Sequence, residues 1–379
     1  MPEHKKHHYV PRFYLKRFSQ DGKSVNIFNI KSKRLILNGK LKTQCYRNYF
    51  YGEDQQAEKG LAIVECHSAA IISRMAVSEI LPAIQSEDRL LLTLYVLMQH
   101  TRTAYAADSL DEQTDKFMKY VMAHEIEKMG ITKEELKHIQ ITRTDSARWA
   151  LASATPFYPL LMDLDWKLLR AGEMHEFITS DNPVVYYNQL LYFRNHGSNT
   201  GLSTKGLQIF FPLDNRHVLL MYDGNVYGVG TRKSQLVQVD DGRDIEHINR
   251  LQYVSALENI YFHGNSFPAA KHYAGAEKYR RKQKSRMQIF PSWETENERS
   301  ELLMMSREDV KTDLDLSFVR LIKPAKRWLH WFKKLKSQPA AVIRNEPLHG
   351  MHERFMELVD KKKYLPGEFF KYVHDLDRS

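Results

Sequence analysis

The sequence predicts an α+β fold in three stretches, followed by an extension. A basic segment and hairpin occupy 1–52, a helical bundle 53–163, and a mostly antiparallel sheet 164–265, with a basic extension over 266–379 that is helical or else a loosely ordered arm. Three observations predict this. Apolar residues recur at helical spacing through Leu61, Val64, Ala69, Ile72, Met75 and Ile80. From Trp166 the pattern changes to short β-rich runs separated by turn residues. The strands follow the helices as a block, which is the signature of an α+β domain.

Taken in order, Val25-Asn26-Ile27-Phe28-Asn29-Ile30 alternates, and Arg34-Leu35-Ile36-Leu37 follows after Lys-Ser-Lys, so the two read as a hairpin. Tyr46 to Tyr51 is an aromatic loop closed by Gly52. The first helix begins near Glu58 and stops near Pro82. Ser86-Glu87-Asp88 caps a second, from Arg89 to about Ala107, whose apolar face places it centrally. A third runs from Asp108 to Met129, and Thr132-Lys133-Glu134-Glu135 opens a short fourth. Ser146 to Met162 is helical but divided by Pro156 and Pro159. Strands are expected at Trp166–Arg170, Glu176–Thr179, Leu207–Phe211 and His217–Met221, then a helix over Asp241–Leu257 and a last strand at Asn259–Phe262.

The 379 residues suit one large or two smaller domains. A net charge of +10 and a pI near 9.2 favour anionic partners: nucleic acid, nucleotides or a membrane surface. Residues 1–48 concentrate that charge, with twelve Lys and Arg against Glu3 and Asp21. Cys45 and Cys66 are the only cysteines, which argues against a disulfide scaffold and a cysteine zinc site and suits a cytoplasmic protein. The first residues carry charge without an apolar core, unlike a signal peptide, and the longest apolar run, within Leu90–Met98, is shorter than a membrane span. No H-E-x-x-H, Walker loop, G-x-G-x-x-G or G-x-S-x-G occurs, so zinc protease, P-loop, Rossmann and α/β-hydrolase chemistry lack a motif.

His8-Tyr9-Val10-Pro11-Arg12-Phe13-Tyr14-Leu15, Tyr49-Phe50-Tyr51, Glu58 and Glu65, Gln99 with Arg102, Phe177-Ile178-Thr179-Ser180-Asp181-Asn182-Pro183 and Phe211-Pro212-Leu213 recur in that order. Over roughly residues 4–265 the chain resembles the bacterial domain-of-unknown-function family 4238. The N-terminal signature and the S-D-N-P turn are its specific motifs; the C-terminal basic region lies outside it. The family carries no settled activity. Its frequent setting near mobile and phage-defence genes implies a role in defence or toxicity. His100 departs from the pattern, since relatives more often have an aromatic or aliphatic residue there.

These residues yield a candidate site. Histidine titrates near neutral pH and serves as acid or base. His7 and His8 point to opposite faces of an extended segment; His8, where the signature begins, is the candidate catalyst and His7 a substrate contact. The alternative is an exposed cationic tail. Arg12, Lys16 and Arg102 are candidates to hold phosphate, Arg102 also stabilising charge in the reaction. The alternative is an ion pair with Glu58, Glu65 or Asp181. Asp181 would orient His8 or hold a cation, with Ser180, Asn182 and Gln99 contacting substrate. The alternative is a purely structural turn. Glu58 and Glu65, seven apart on one helix face, form with Asp181 a candidate Mg²⁺ site; the alternative is a solvated or arginine-paired face. Trp328, Trp331 and Phe332 among Lys326, Arg327, Lys333 and Lys334 would stack on bases or lie on a membrane, or else pack on the main domain.

The function expected is phosphodiester cleavage on RNA or DNA in a defence or toxin role. The alternatives are a non-catalytic module that senses nucleic acid or a phage component, and an enzyme on a small phosphate-bearing molecule such as a nucleotide. Nucleic acid is the expected partner, with a protein partner or homo-oligomer also compatible and no integral membrane segment. The expectation is spatial: His8, Arg12, Arg102 and Asp181 should meet in one cleft.

Overall fold

The structure, a computed structural model, describes residues 5–128, 130–195, 197–265, 267–291, 301–334, 342–376 and 378. The chain opens with β1 (Lys6–His8), α1 (Arg12–Leu15), β2 (Ser24–Asn29), β3 (Arg34–Lys40) and β4 (Tyr46–Asn48). The helical part follows as α2 (Gln56–Ser78), α3 (Glu87–Thr101), α4 (Ala104–Lys128), α5 (Lys133–His138) and α6 (Ser146–Ala154). Next come β5 (Asp165–Ala171), β6 (Thr179–Ser180), β7 (Val185–Tyr187), β8 (Gln208–Pro212), β9 (His217–Tyr222), β10 (Tyr227–Val229), β11 (Leu236–Val239), α7 (Gly242–Ser255) and β12 (Asn259–Phe262). The C-terminal part holds α8 (Ala269–Ala276), β13 (Ser285–Pro291), β14 (Glu301–Arg307), β15 (Val319–Leu321), α9 (Lys323–Lys334), α10 (Glu346–Asp360) and α11 (Phe369–Leu376). The α+β architecture is as predicted, with several small, mostly antiparallel sheets.

A five-stranded sheet in the order β11-β5-β9-β8-β7 divides the molecule. Only β11 and β5 run parallel, Leu169 facing Val237. Both faces are covered, so β9 is buried at all six positions. Strand alternation sorts the side chains. Trp166, Leu168, Ile209, Phe211, Leu219 and Met221 face the N-terminal segment and α2, α3 and α6. Leu169, Ala171, Phe210, Val218, Leu220 and Tyr222 face α7, α8 and the C-terminal part. A second sheet, β3-β2-β12-β6, joins the first thirty residues to a strand more than two hundred residues later, Phe28 opposite Ile260.

Several expectations need correction. The helix drawn from Arg89 to Ala107 ends at Thr101, and α4 starts at Ala104. Two local bonds explain the break: the Arg102 carbonyl accepts from Tyr51 Oη at 2.9 Å, and Thr103 Oγ1 accepts from the Ala106 amide at 3.2 Å, capping a new helix. The strand at Glu176–Thr179 shrinks to Thr179–Ser180. Asn259–Phe262 is not the last strand, because the extension contributes β13, β14 and β15, the last pairing with β10 across Gly228 and Arg320. By length and composition α2 would pass as a membrane-crossing segment, with a mean hydropathy of 1.3 over its most apolar window. Its Leu61, Ile71, Ile72 and Met75 are buried in the same apolar cluster as α3.

Candidate functional site

The N-terminal signature enters the core. Tyr14 stacks on Phe211 at 5.2 Å, and its hydroxyl donates to the Pro212 carbonyl at 2.7 Å and meets Thr179 Oγ1 at 2.6 Å. β1 pairs with β4, so His7 and His8 do point to opposite sides. His7 is buried and stacks on Tyr51 at 5.9 Å. Its Nδ1 accepts from the Tyr51 amide at 3.1 Å and lies 3.9 Å from Glu58 Oε1. His8 is half-buried and donates Nδ1–H to the Gln44 carbonyl at 2.9 Å. Burial lowers its pKa, with Arg12, Arg102 and Lys6 acting in the same sense and the Gln44 bond opposing.

Arg102 is 1% exposed and fully engaged. Its Nη1 meets Glu65 Oε1 at 2.5 Å, Nη2 donates to the His8 carbonyl at 2.8 Å, and Nε donates to Tyr51 Oη at 3.2 Å. The ion-pair alternative is therefore the one realised, and this guanidinium binds α3 to α2, β1 and the Tyr51 loop. Gln99 donates to the Tyr9 carbonyl at 3.1 Å. Arg12 and Lys16 are exposed at the surface.

The S-D-N-P turn is a buried clasp. Asp181 accepts from the amides of Leu257 and Glu258 at 2.7 Å and of Asn259 at 2.9 Å, holding the passage from α7 into β12. Burial raises its pKa to about 6, outweighing those three donors. Ser180 Oγ donates to Gln252 at 2.8 Å, and Gln252 Nε2 donates to the Pro183 carbonyl at 2.8 Å. Asn182 donates to Ser255 Oγ at 2.8 Å and accepts from Thr103 Oγ1 at 3.0 Å. His8, Arg12 and Arg102 are neighbours, with Arg102 Nη2 on the His8 carbonyl and both guanidinium charges acting on the His8 ring, but the side chains of Arg102 and Asp181 are both taken up by partners within the fold. Among the described residues no three His, Cys, Asp or Glu side chains gather as a metal site, so the Glu58, Glu65 and Asp181 arrangement for Mg²⁺ is not formed.

A different place has the makings of a site. A cavity of about 400 Å³ opens between the α3–α4 junction, β7 and the end of β14. Of the residues singled out for catalysis, substrate or metal, only Asn182 lines it. His100 stacks flat on Tyr186, ring centroids 3.8 Å apart, and donates Nδ1–H to the Val184 carbonyl at 3.1 Å. Burial, reinforced by Arg307 and Arg281, drives its pKa down to about 3, so the ring is neutral with Nε2 left as an acceptor. The Tyr186 hydroxyl is buried without a hydrogen-bond partner among the described residues.

Two arginines complete the wall. Arg307 donates to the His100 carbonyl at 3.3 Å. Arg281 lies 3.9 Å over the Tyr105 ring and donates to the Ser255 carbonyl at 2.7 Å. Burial lowers both pKa values. Neither pairs with a carboxylate among the described residues. Glu308 and Asp309 line the same cavity, but each has other partners. Glu308 binds Arg286, and Asp309 accepts from the Asn199 amide at 3.2 Å and Thr200 Oγ1 at 2.7 Å. The hairpin that carries Arg307 is fixed on α4, where Glu112 accepts from the Lys284 amide at 3.1 Å, the Ser285 amide at 3.2 Å and Ser285 Oγ at 3.0 Å.

Residues 6–266 match the family described as "Protein of unknown function (DUF4238)". The chain belongs to this family. No curated protein and no solved structure matches it. The DUF4238 region supplies His100, Asn182 and Tyr186, while Arg281 and Arg307 come from beyond it. Sequence reasoning reached Arg281 only as one cation in a basic run and missed Arg307.

Proposed function

We propose that this chain is a recognition protein for a small phosphate-bearing ligand of nucleotide size, bound in the cavity between the DUF4238 region and the C-terminal hairpin. One observation carries the reading: Arg281 and Arg307 line one cavity, half-buried, and among the described residues neither forms an ion pair with a carboxylate, Glu308 and Asp309 in the same wall being engaged by other partners. A buried charge left unpaired is costly, so such a pair is best accounted for by an anion that arrives from outside. Guanidinium forks match phosphate oxygens. The volume lies within the roughly 300–1,000 Å³ of small-molecule sites, and Tyr105 and the His100–Tyr186 stack offer flat walls to a ring. The net charge of +10 would favour encounter with an anion.

This joins two alternatives read from the sequence: the non-catalytic role, expected there for nucleic acid or a phage component, and the small phosphate-bearing ligand, expected there for an enzyme. Phosphodiester cleavage has less support, since His8, Arg102 and Asp181 already hold other parts of the fold and His100 stays neutral. The test is calorimetric titration with inorganic phosphate, AMP and ATP at low salt. Saturable one-to-one binding that falls at least tenfold in Arg307→Gln, with the melting temperature unchanged, is expected. No saturation by any of the three at millimolar concentration, or unaltered binding in that variant, refutes the reading.

A further inference from the structure

A second basic feature stands apart from the cavity. α9 reads Lys-Pro-Ala-Lys-Arg-Trp-Leu-His-Trp-Phe-Lys-Lys and contains no acid. At 100° per residue its side chains separate into two arcs. Ala325, Trp328, Leu329 and Phe332 share one arc. Ala325 and Phe332 are buried, and Trp328 and Leu329 pack half-buried against the same apolar cluster as α7 and α8. Lys205 Nζ sits 4.5 Å above the Trp328 ring and closes that side. The opposite arc carries Lys323, Lys326, Arg327, His330 and Lys334, all exposed, with Lys333 at one border and Trp331 at the other. Trp331 is 54% exposed. None of these cations is ion-paired among the described residues.

We infer that this face binds single-stranded nucleic acid, the sugar–phosphate chain running along the cationic arc and a base stacking on Trp331. Charge complementarity selects a polyanion, and the arc is about 16 Å long from the rise per residue, enough for several successive phosphates. The aromatic border selects a strand with open bases, since stacking needs a free base face. A bilayer is the poorer occupant. A membrane-surface helix must offer its apolar face to lipid, and here that face is already spent on the protein core.

The test uses the full chain and fluorescein-labelled dT20 and U20, followed by anisotropy from 50 to 200 mM salt. Binding should weaken with salt at a log–log slope near −3, since each single-strand phosphate contact adds about −0.7. Lys326→Gln/Arg327→Gln and Trp331→Ala should each lower affinity about tenfold, and both should leave phosphate or nucleotide titration of the cavity unchanged. These side chains are exposed, so the variants should fold, which circular dichroism checks. Absence of oligonucleotide binding at 50 mM salt overturns the inference, as does unaltered affinity in both variants. Equal affinity for duplex with no loss in Trp331→Ala overturns the single-strand assignment. Capture by anionic vesicles that dT20 cannot displace overturns it in favour of lipid.

Discussion

Replacing Arg102 by methionine discriminates between a catalytic and an architectural guanidinium. Methionine fills similar space without charge. The substitution removes the ion pair to Glu65 and leaves the His8 carbonyl and the Tyr51 hydroxyl without their donor. Breaking one partner of a buried pair costs about 3–5 kcal/mol. The Glu65 side chain is 24% exposed and can recover water, which pulls the estimate down, while the two orphaned oxygens push it up by about 1–3 kcal/mol each. A net loss of about 3–5 kcal/mol is expected, a large share of the roughly 5–15 kcal/mol that holds a typical domain together. Glu65→Met should cost about 2–4 kcal/mol, because it strands a nearly buried cation. The double variant should be less unstable than the sum of the two by at least about 1 kcal/mol, since the groups share one interaction. Urea unfolding of the four proteins gives these numbers. A single variant Arg102→Met within 0.5 kcal/mol of the parent, or additivity across the cycle, would remove the architectural assignment and return Arg102 to the list of groups available to a ligand.

Tyr14→Phe should cost about 1–3 kcal/mol, because the Pro212 carbonyl and Thr179 hydroxyl lose a buried partner; chemical denaturation measures it. His217 ties β9 to α2 through Asp214 at 3.0 Å and Glu79 at 3.3 Å, and although burial opposes it, these two carboxylates raise its pKa above 6.5. Its contribution to stability is therefore complete below pH 6.5 and disappears as pH rises through the raised value. His217→Gln should flatten that part of the pH profile of the urea midpoint, and an unchanged profile would contradict the assignment. His100 should show no ring titration between pH 5 and 8 by NMR, given a pKa near 3. Glu112→Ala removes three acceptor contacts from the start of β13. It should speed amide exchange across Ser285–Gln288 at least tenfold and weaken phosphate binding in the cavity, with global unfolding little changed.

Periodicity in the chain determined most of the helices, the β2–β3 hairpin and the strands β5, β8, β9 and β12, because helix and strand spacing are local properties. It also specified that His7 and His8 diverge, which follows from the pleat alone. What it did not contain was pairing. β12 takes β2 as a neighbour, 230 positions away at Asn29 and Asn259, and the short β7, β10 and β11 exist because longer strands lie beside them. The same applies to the site. His8, Arg102 and Asp181 look like reactive groups in one dimension because reactive and architectural polar residues have the same side chains. Only burial and partners separate them: three amides around Asp181, and Glu65, a carbonyl and a phenol around Arg102. The reverse held for Arg281 and Arg307, two unremarkable cations in sequence. Tertiary packing placed them half-buried beside one cavity, with Glu308 and Asp309 in the same wall engaged by other partners, and that partial desolvation without an ion pair is what no local pattern of residues records.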